Sequence, residues 1–262
     1  MKLQQTSNYP AIAALFGMLA LAGCSGDVSS LLAATGGNGN ASGLTTGTTP
    51  DKPAFNPFSP VSETASPARE VIQTPSHDEI MKVGALPEFS IGRADAPVTI
   101  IKYMSLTCQY CRHFQAEVFP TLKREYIDKG HVRFIIREFP IGKQSGNATV
   151  ALRCAPMEKY LPLYEKFLQQ QSAWVSQEVR PDVIFKVAQQ VGITRAQFDA
   201  CLQNQALIEG LKWVKDRGRT LGIIGTPNFF IGDKLVKKEI GIKQIREMVD
   251  PLLAGRVAAS KT

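Results

Sequence analysis

The apolar positions of this chain fall into three successive regimes. Residues 98–104, Val-Thr-Ile-Ile-Lys-Tyr-Met, are β-branched and nearly continuous in apolar side chains, the pattern of a central strand covered on both faces. Phe114, Val118, Leu122 and Tyr126 then recur every fourth residue, with Phe119 on the same broad face, which predicts a helix over residues 114–129 ending at Gly130. Residues 132–139 form the next strand, stopped by Pro140. Strand, helix, strand in this order predicts a parallel pair with a right-handed crossover. Phe89-Ser90-Ile91 reads as a short edge strand ahead of turn residues 92–97. The second regime, residues 144–221, is almost all helix, with candidates at 147–157, 160–175, 181–191 and 195–219, the last capped by Thr194. The third returns to sheet. Gly225-Thr226-Pro227 leads into a strand at 228–231, Gly232-Asp233 turns it, and 234–236 completes a hairpin. Ile242, Ile245, Met248, Leu252 and Leu253 mark a closing helix, and residues 254–262 read as a frayed tail.

The amino-terminal part has none of these patterns. Lys2 followed by an apolar run over residues 11–22 is too short for a mature membrane span, which needs about 20 residues, and reads as a signal peptide over residues 1–23. It closes on Leu21-Ala22-Gly23-Cys24, which resembles a bacterial lipobox, so Cys24 is the expected site of lipidation; ordinary secretory cleavage leaving a spare thiol is the alternative. Residues 24–76 are rich in Gly, Ser, Thr, Asn and Pro and bury too little apolar surface to offset chain entropy. They read as a disordered tether of roughly 40 Å reach. The folded domain is expected over residues 77–262.

A formal charge of +7 raises the question of nucleic acid, but the 30 Lys and Arg are interspersed with 23 Asp and Glu, and no basic block with interleaved aromatics stands out. A solvated basic surface, with no nucleic-acid partner, is the reading. The five cysteines divide as one, two and two. Cys108 and Cys111 are three apart at the carboxyl end of the first predicted strand, where open α/β sheets place their sites. A cysteine at a helix start faces free N–H groups and the positive end of the helix dipole, which favours its thiolate. Cys154 and Cys201, each among apolar neighbours in the helical region, are expected to pair in an oxidising compartment, with two buried free thiols as the alternative. No second Cys-x-x-Cys or His pair stands at zinc-like spacing, so no metal and no cofactor are expected.

Cys108-Gln109-Tyr110-Cys111 between strand and helix, a long helical insertion, and Gly225-Thr226-Pro227 before an apolar strand together resemble the DsbA-like branch of the thioredoxin superfamily. The resemblance covers about residues 87–253. It implies an α/β thioredoxin fold with an inserted all-helical subdomain at about 144–221, and a protein thiol–disulfide oxidoreductase acting in the bacterial cell envelope. It implies Cys108 and Cys111 as the catalytic pair and a cis Pro227 that leaves the Thr226 backbone free to bind an extended substrate segment. The implied partners are reduced or unfolded exported proteins and a membrane protein that re-oxidises the site, with the chain held at the membrane by its lipid anchor. Strongly oxidising relatives carry Pro-His between the cysteines. Gln109 and Tyr110 stand there in this chain, so they are candidate residues for setting the redox direction. Lys102, six residues before Cys108, occupies a position where relatives place a buried acid. It either favours the thiolate through its charge or snorkels to water without effect. Oxidase is the leading direction, ahead of reductase or isomerase, with a tethered chaperone or adaptor as the non-enzymatic alternative. His113, on the helix beyond Cys111, is expected at the surface or in packing, and Trp174 and Trp213 in the core or lining a groove.

Overall fold

The computed structural model describes residues 70–259; the signal peptide, Cys24 and the tether as far as residue 69 lie outside the described residues. Five strands build one mixed sheet: β1 (Phe89–Ile91), β2 (Val98–Met104), β3 (Val132–Glu138), β4 (Asn228–Ile231) and β5 (Lys234–Val236), in the order β1-β3-β2-β4-β5. β2 and β3 run parallel with Val98 opposite Val132, and every other pair is antiparallel. The turn between β4 and β5 passes through Gly232 at φ +56°, a left-handed conformation that glycine adopts without strain.

β2 is therefore the central strand, and its alternation distributes side chains to two cores. Ile100 and Met104 join the larger core with Phe134, Ile136, Phe229 and Ile231. Ile101 and Tyr103 join a second core on the opposite face with Ile135, Phe139, Phe230 and Ile80, the last from α1 (His77–Met81). Continuous apolar sequence in β2 is thus the signature of a strand packed on both sides.

The helical path after β2 starts earlier than the periodicity suggested. α2 (Gln109–His113) opens at Cys108, a π turn spans Phe114–Val118, α3 (Phe119–Leu122) follows, and a second π turn spans Lys123–Ile127. Pro120 lies between the two wide turns, and the Phe119 N–H reaches back five residues to the Phe114 carbonyl. Proline offers no N–H and crowds the preceding turn, and a widened turn is one way to accommodate it.

The insertion comprises α4 (Lys143–Cys154), α5 (Met157–Gln169), α6 (Gln171–Trp174), α7 (Pro181–Ala188), α8 (Arg195–Leu202) and α9 (Gln205–Thr220). Several boundaries differ from those expected. The first helix begins at Lys143 rather than 147, and the second is broken at Gln170. The predicted helix over 195–219 is two helices, because Asn204 leaves helical geometry and its side chain accepts the Leu207 N–H at 3.0 Å, starting α9 afresh. The final helix, α10 (Ile242–Ala259), continues through residues expected to fray. The tether boundary also moves. Ser76 caps α1 with a reciprocal Glu79 contact, and the Ile72 N–H bonds the Thr220 carbonyl at 2.9 Å, so residues 72–76 belong with the folded part.

α9 approaches β2 closely because Gly218 faces Tyr103; a Cβ there would lie 2.8 Å from the ring. Cys154 and Cys201 are bonded to each other, with Cα atoms 6.0 Å apart, and tie α4 to α8. Closing a loop across a sequence separation of 47 removes unfolded-chain entropy worth about 4 kcal/mol. A second tie is ionic. The buried Glu138 carboxylate at the end of β3 accepts Arg153 of α4 at 2.7 Å and the Tyr160 hydroxyl of α5 at 2.6 Å. The insertion is thereby anchored to the strand beside the one that ends at the cysteines.

Candidate active site

Cys108 sits at the end of the β2–α2 connection as the N-cap of α2, with extended backbone (φ −79°, ψ 117°). Its sulfur takes the place of the usual capping oxygen and accepts the Cys111 N–H at 3.3 Å. It also donates, as a thiol, to the Thr226 carbonyl at 3.1 Å. The Thr226–Pro227 bond is cis, so two segments 118 residues apart meet at one sulfur. Asn228 steadies the loop, donating to the Pro227 carbonyl at 2.8 Å.

The two thiols are electrostatic opposites. A hydrogen bond from the Cys111 side chain brings Cys108 down to about 6, against the opposing effect of its partial burial; Thr226 and the N–H groups of Cys111 and Tyr110 add to the lowering. Burial pushes Cys111 well above the ordinary thiol range, and its bond to Cys108 raises it further. At neutral pH Cys108 is a thiolate and Cys111 a thiol. Only the thiolate is nucleophilic, so the two sulfurs differ in reactivity.

Lys102 lies beneath both, fully buried on the α2 and α5 side of β2. Its Nζ donates to the Tyr164 hydroxyl at 3.1 Å and to the Cys111 carbonyl at 3.4 Å, and stands 4.3 Å from the centre of the Phe114 ring. Burial lowers the ammonium to about 8, while the charges of Cys111 and Cys108 hold it up. Snorkelling to water is therefore excluded: a residue at the middle of a central strand, roofed by α2 and α5, has no path out. Its charge in turn draws Cys111 toward the thiolate.

Gln109 and Tyr110 are exposed on the first turn of α2. His113 is exposed and hydrogen-bonds Glu239, fastening α2 to the segment before α10. Trp174 is buried against Phe167, and its indole N–H donates to the Phe167 carbonyl at 2.7 Å. Trp213 is half-buried, its ring against Gly84. The sequence reading did not single out Tyr164, which receives the Lys102 proton donor, nor Gln171, which reaches the cysteine loop from α6. Both act through contacts spanning more than 60 residues, for which the local pattern carries no signal. Among the described residues no group of three His, Cys, Asp or Glu is placed to hold a metal ion.

A family model described as Thioredoxin matches residues 85–251. The chain is similar to a Rickettsia bellii protein named as a protein-disulfide oxidoreductase, with 27% identity over 146 residues, covering 54% of this chain and 55% of that one. It is also similar to disulfide bond formation protein D of Bacillus subtilis, with 24% identity over 171 residues, 63% of this chain and 77% of that one. The chain thus spans little more than half the length of the Rickettsia relative. Among solved structures, α-DsbA1 of Wolbachia pipientis superposes with a TM-score of 0.63 at 23% identity, covering 70% of this chain and 99% of that one. A cysteine pair at the N-terminus of the helix after the central strand, faced by a cis-proline loop, and a family match across most of the folded residues make this chain a member of the thioredoxin family with the DsbA-like fold.

Proposed function

We propose that this chain is a thiol–disulfide oxidoreductase of the bacterial cell envelope that introduces disulfides into exported proteins. The asymmetry between an acidic, partly exposed Cys108 and a buried, high-pKa Cys111 is the observation that carries the reading. In the oxidised enzyme, a substrate thiolate attacks the Cys108 sulfur and the Cys108–Cys111 bond breaks. Cys111 departs with the electron pair and takes up a proton. A second substrate thiolate then attacks the substrate sulfur of the mixed disulfide and expels the Cys108 thiolate. The substrate has lost two electrons and the enzyme has gained them. A low-pKa leaving thiol makes the second step fast and stabilises the reduced enzyme, which favours oxidation of substrate. A membrane redox partner would restore the disulfide.

A polypeptide substrate fits the surroundings. Tyr110, two residues after Cys108, Ile224, two before Thr226, and Ile141, whose carbonyl accepts the Thr107 hydroxyl, are exposed large side chains on the segments that lead to the cysteine loop and the cis-proline loop. Exposed apolar groups around a polar centre suit an unfolded segment, with the Thr226 backbone as the strand-like contact. The equilibrium potential of the pair against glutathione tests the direction. A value well above that of thioredoxin, about −270 mV, is expected; one close to it would make the chain a reductase.

Anchoring by lipid at Cys24 belongs to the same proposal. A Cys24→Ala protein expressed in a bacterial envelope is expected to lose all incorporation of a fatty-acid probe. Labelling equal to the parent would leave Cys24 as a plain thiol.

A further inference from the structure

We propose that Gln171 is a positioning residue through which the helical insertion sets the acidity of Cys108. Gln171 is buried and opens α6, immediately after the break at Gln170. Its carboxamide nitrogen donates to the Leu106 carbonyl at 2.7 Å and to the Cys108 carbonyl at 3.1 Å. An amide NH2 carries two donors, and the two carbonyls of the β2–α2 connection match them in number. The Cys108 carbonyl also accepts the Arg112 N–H at 3.1 Å, the first bond of α2. One peptide group is thereby held from both the helix and the insertion. The tilt of that peptide decides where the Cys108 sulfur points. In the observed setting it accepts the Cys111 N–H at 3.3 Å, the contact that favours the thiolate.

Gln171 is itself held in place. Its carbonyl accepts the Val175 N–H at 2.9 Å, ending α6. The Trp174 carbonyl accepts Gln144 of α4 at 2.7 Å, and Gln144 accepts the Arg180 N–H at 3.0 Å. The clamp thus extends from α4 and α7 through α6 to the cysteine loop. Without it the Leu106 carbonyl, in a buried residue, loses this partner, and the peptide that aims the sulfur gains freedom. The geometry that stabilises the Cys108 thiolate is then occupied only part of the time.

This inference rests on Cys108 being the acidic sulfur, and the experiment separates the two. Thiolate absorbance near 240 nm is titrated in the reduced full chain, in Gln171→Met, which keeps the volume but loses both donors, and in Asn147→Leu as a control. Asn147 is also a buried amide of the insertion, but its amide donates within α4, to the Lys143 carbonyl at 2.9 Å, and not to the clamp. The parent is expected to titrate near the value of about 6 described above. Gln171→Met should move up by about one unit, tenfold in thiolate population, with the Asn147 variant unmoved. Gln171→Ala supplies the same readout if the methionine variant does not fold. A parent without a transition near 6 overturns the reading of Cys108. A parent titrating near 6 with an unmoved Gln171 variant, or an Asn147 variant that moves as far, overturns only the role of Gln171.

Discussion

Cys108→Ser is expected to reduce thiol–disulfide exchange to the uncatalysed rate, whereas Cys111→Ser should react once and stop. The difference follows from the placement of the two sulfurs. Cys108 is partly exposed and its pKa is lowered to about 6, so in the proposed function it is the sulfur that meets both substrate thiolates and disulfides. A serine hydroxyl at that position forms no disulfide, and buried Cys111 cannot take over. In Cys111→Ser the nucleophile remains, and a serine hydroxyl can still donate toward it as the Cys111 side chain does, so Cys108 stays acidic. Mixed with oxidised glutathione, this variant should accumulate a stable adduct one glutathione heavier by mass spectrometry. Adduct formation should rise with pH through about 6 and then level off, since the thiolate fraction is then complete. Adduct on the Cys108→Ser protein would assign the attack to Cys111 and reverse the roles.

The second large effect is expected at Lys102. Its ammonium is buried beneath the pair, beside a tyrosine hydroxyl and a backbone carbonyl, and makes no ion pair with a carboxylate among the described residues. The disulfide is neutral and the reduced pair carries a thiolate, so a cation here stabilises the reduced form. Lys102→Met should make the pair more reducing, by about 30 mV for each tenfold change in the equilibrium constant. The titratable groups facing Lys102 are Cys108 and Cys111 from the start of α2 and Tyr164 from α5; the tyrosine is pushed far up by burial and stays neutral. The upper edge of the pH window follows from Lys102 itself. Its charge is present in the reduced form below about 8 and lost above it. The gap between parent and variant should therefore be widest between about pH 6, above which Cys108 is a thiolate, and about pH 8, below which Lys102 is charged, and should shrink on either side of that window. An unchanged potential at pH 7 would leave Lys102 a packing residue.

Stability should change in the opposite sense from an ordinary core substitution. Holding a lysine about 2.5 units below its unfolded value costs on the order of 3 kcal/mol at neutral pH, since the unfolded chain binds that proton more tightly. Lys102→Met removes this cost and should raise the unfolding midpoint in denaturant at pH 7. The advantage should shrink between about pH 8 and 10.5, where the native lysine has released its proton and the unfolded one has not. A variant at once more stable and more reducing would separate the charge of Lys102 from its packing.

Much of this architecture was legible along the chain. Periodicity located the strands at 98–104 and 228–231 without error, because a buried strand needs apolar, β-branched positions in an unbroken run. Helix ends were less legible. Asn204 is a good capping residue, but apolar side chains on both sides of it continue a helical rhythm, and only the bond to Leu207 shows that the chain starts again. The widened turns around Pro120 preserve the apolar stripe while changing the path, so the stripe could not report them.

The site divides in the same way. The sequence alone determined where the proposed reactive pair stands, because the spacing of Cys108 and Cys111 at a strand-to-helix junction is local, and a local motif is written in adjacent residues. Tertiary structure alone decided what surrounds the pair. Lys102 is trapped because β3 and β4 flank its strand while α2 and α5 close over it. Thr226 meets Cys108 across 118 residues, and Gln171 reaches the same loop from 63 residues away. Acidity, burial and charge at a sulfur are sums over whatever the fold brings within a few ångströms, and that company comes from distant parts of the chain.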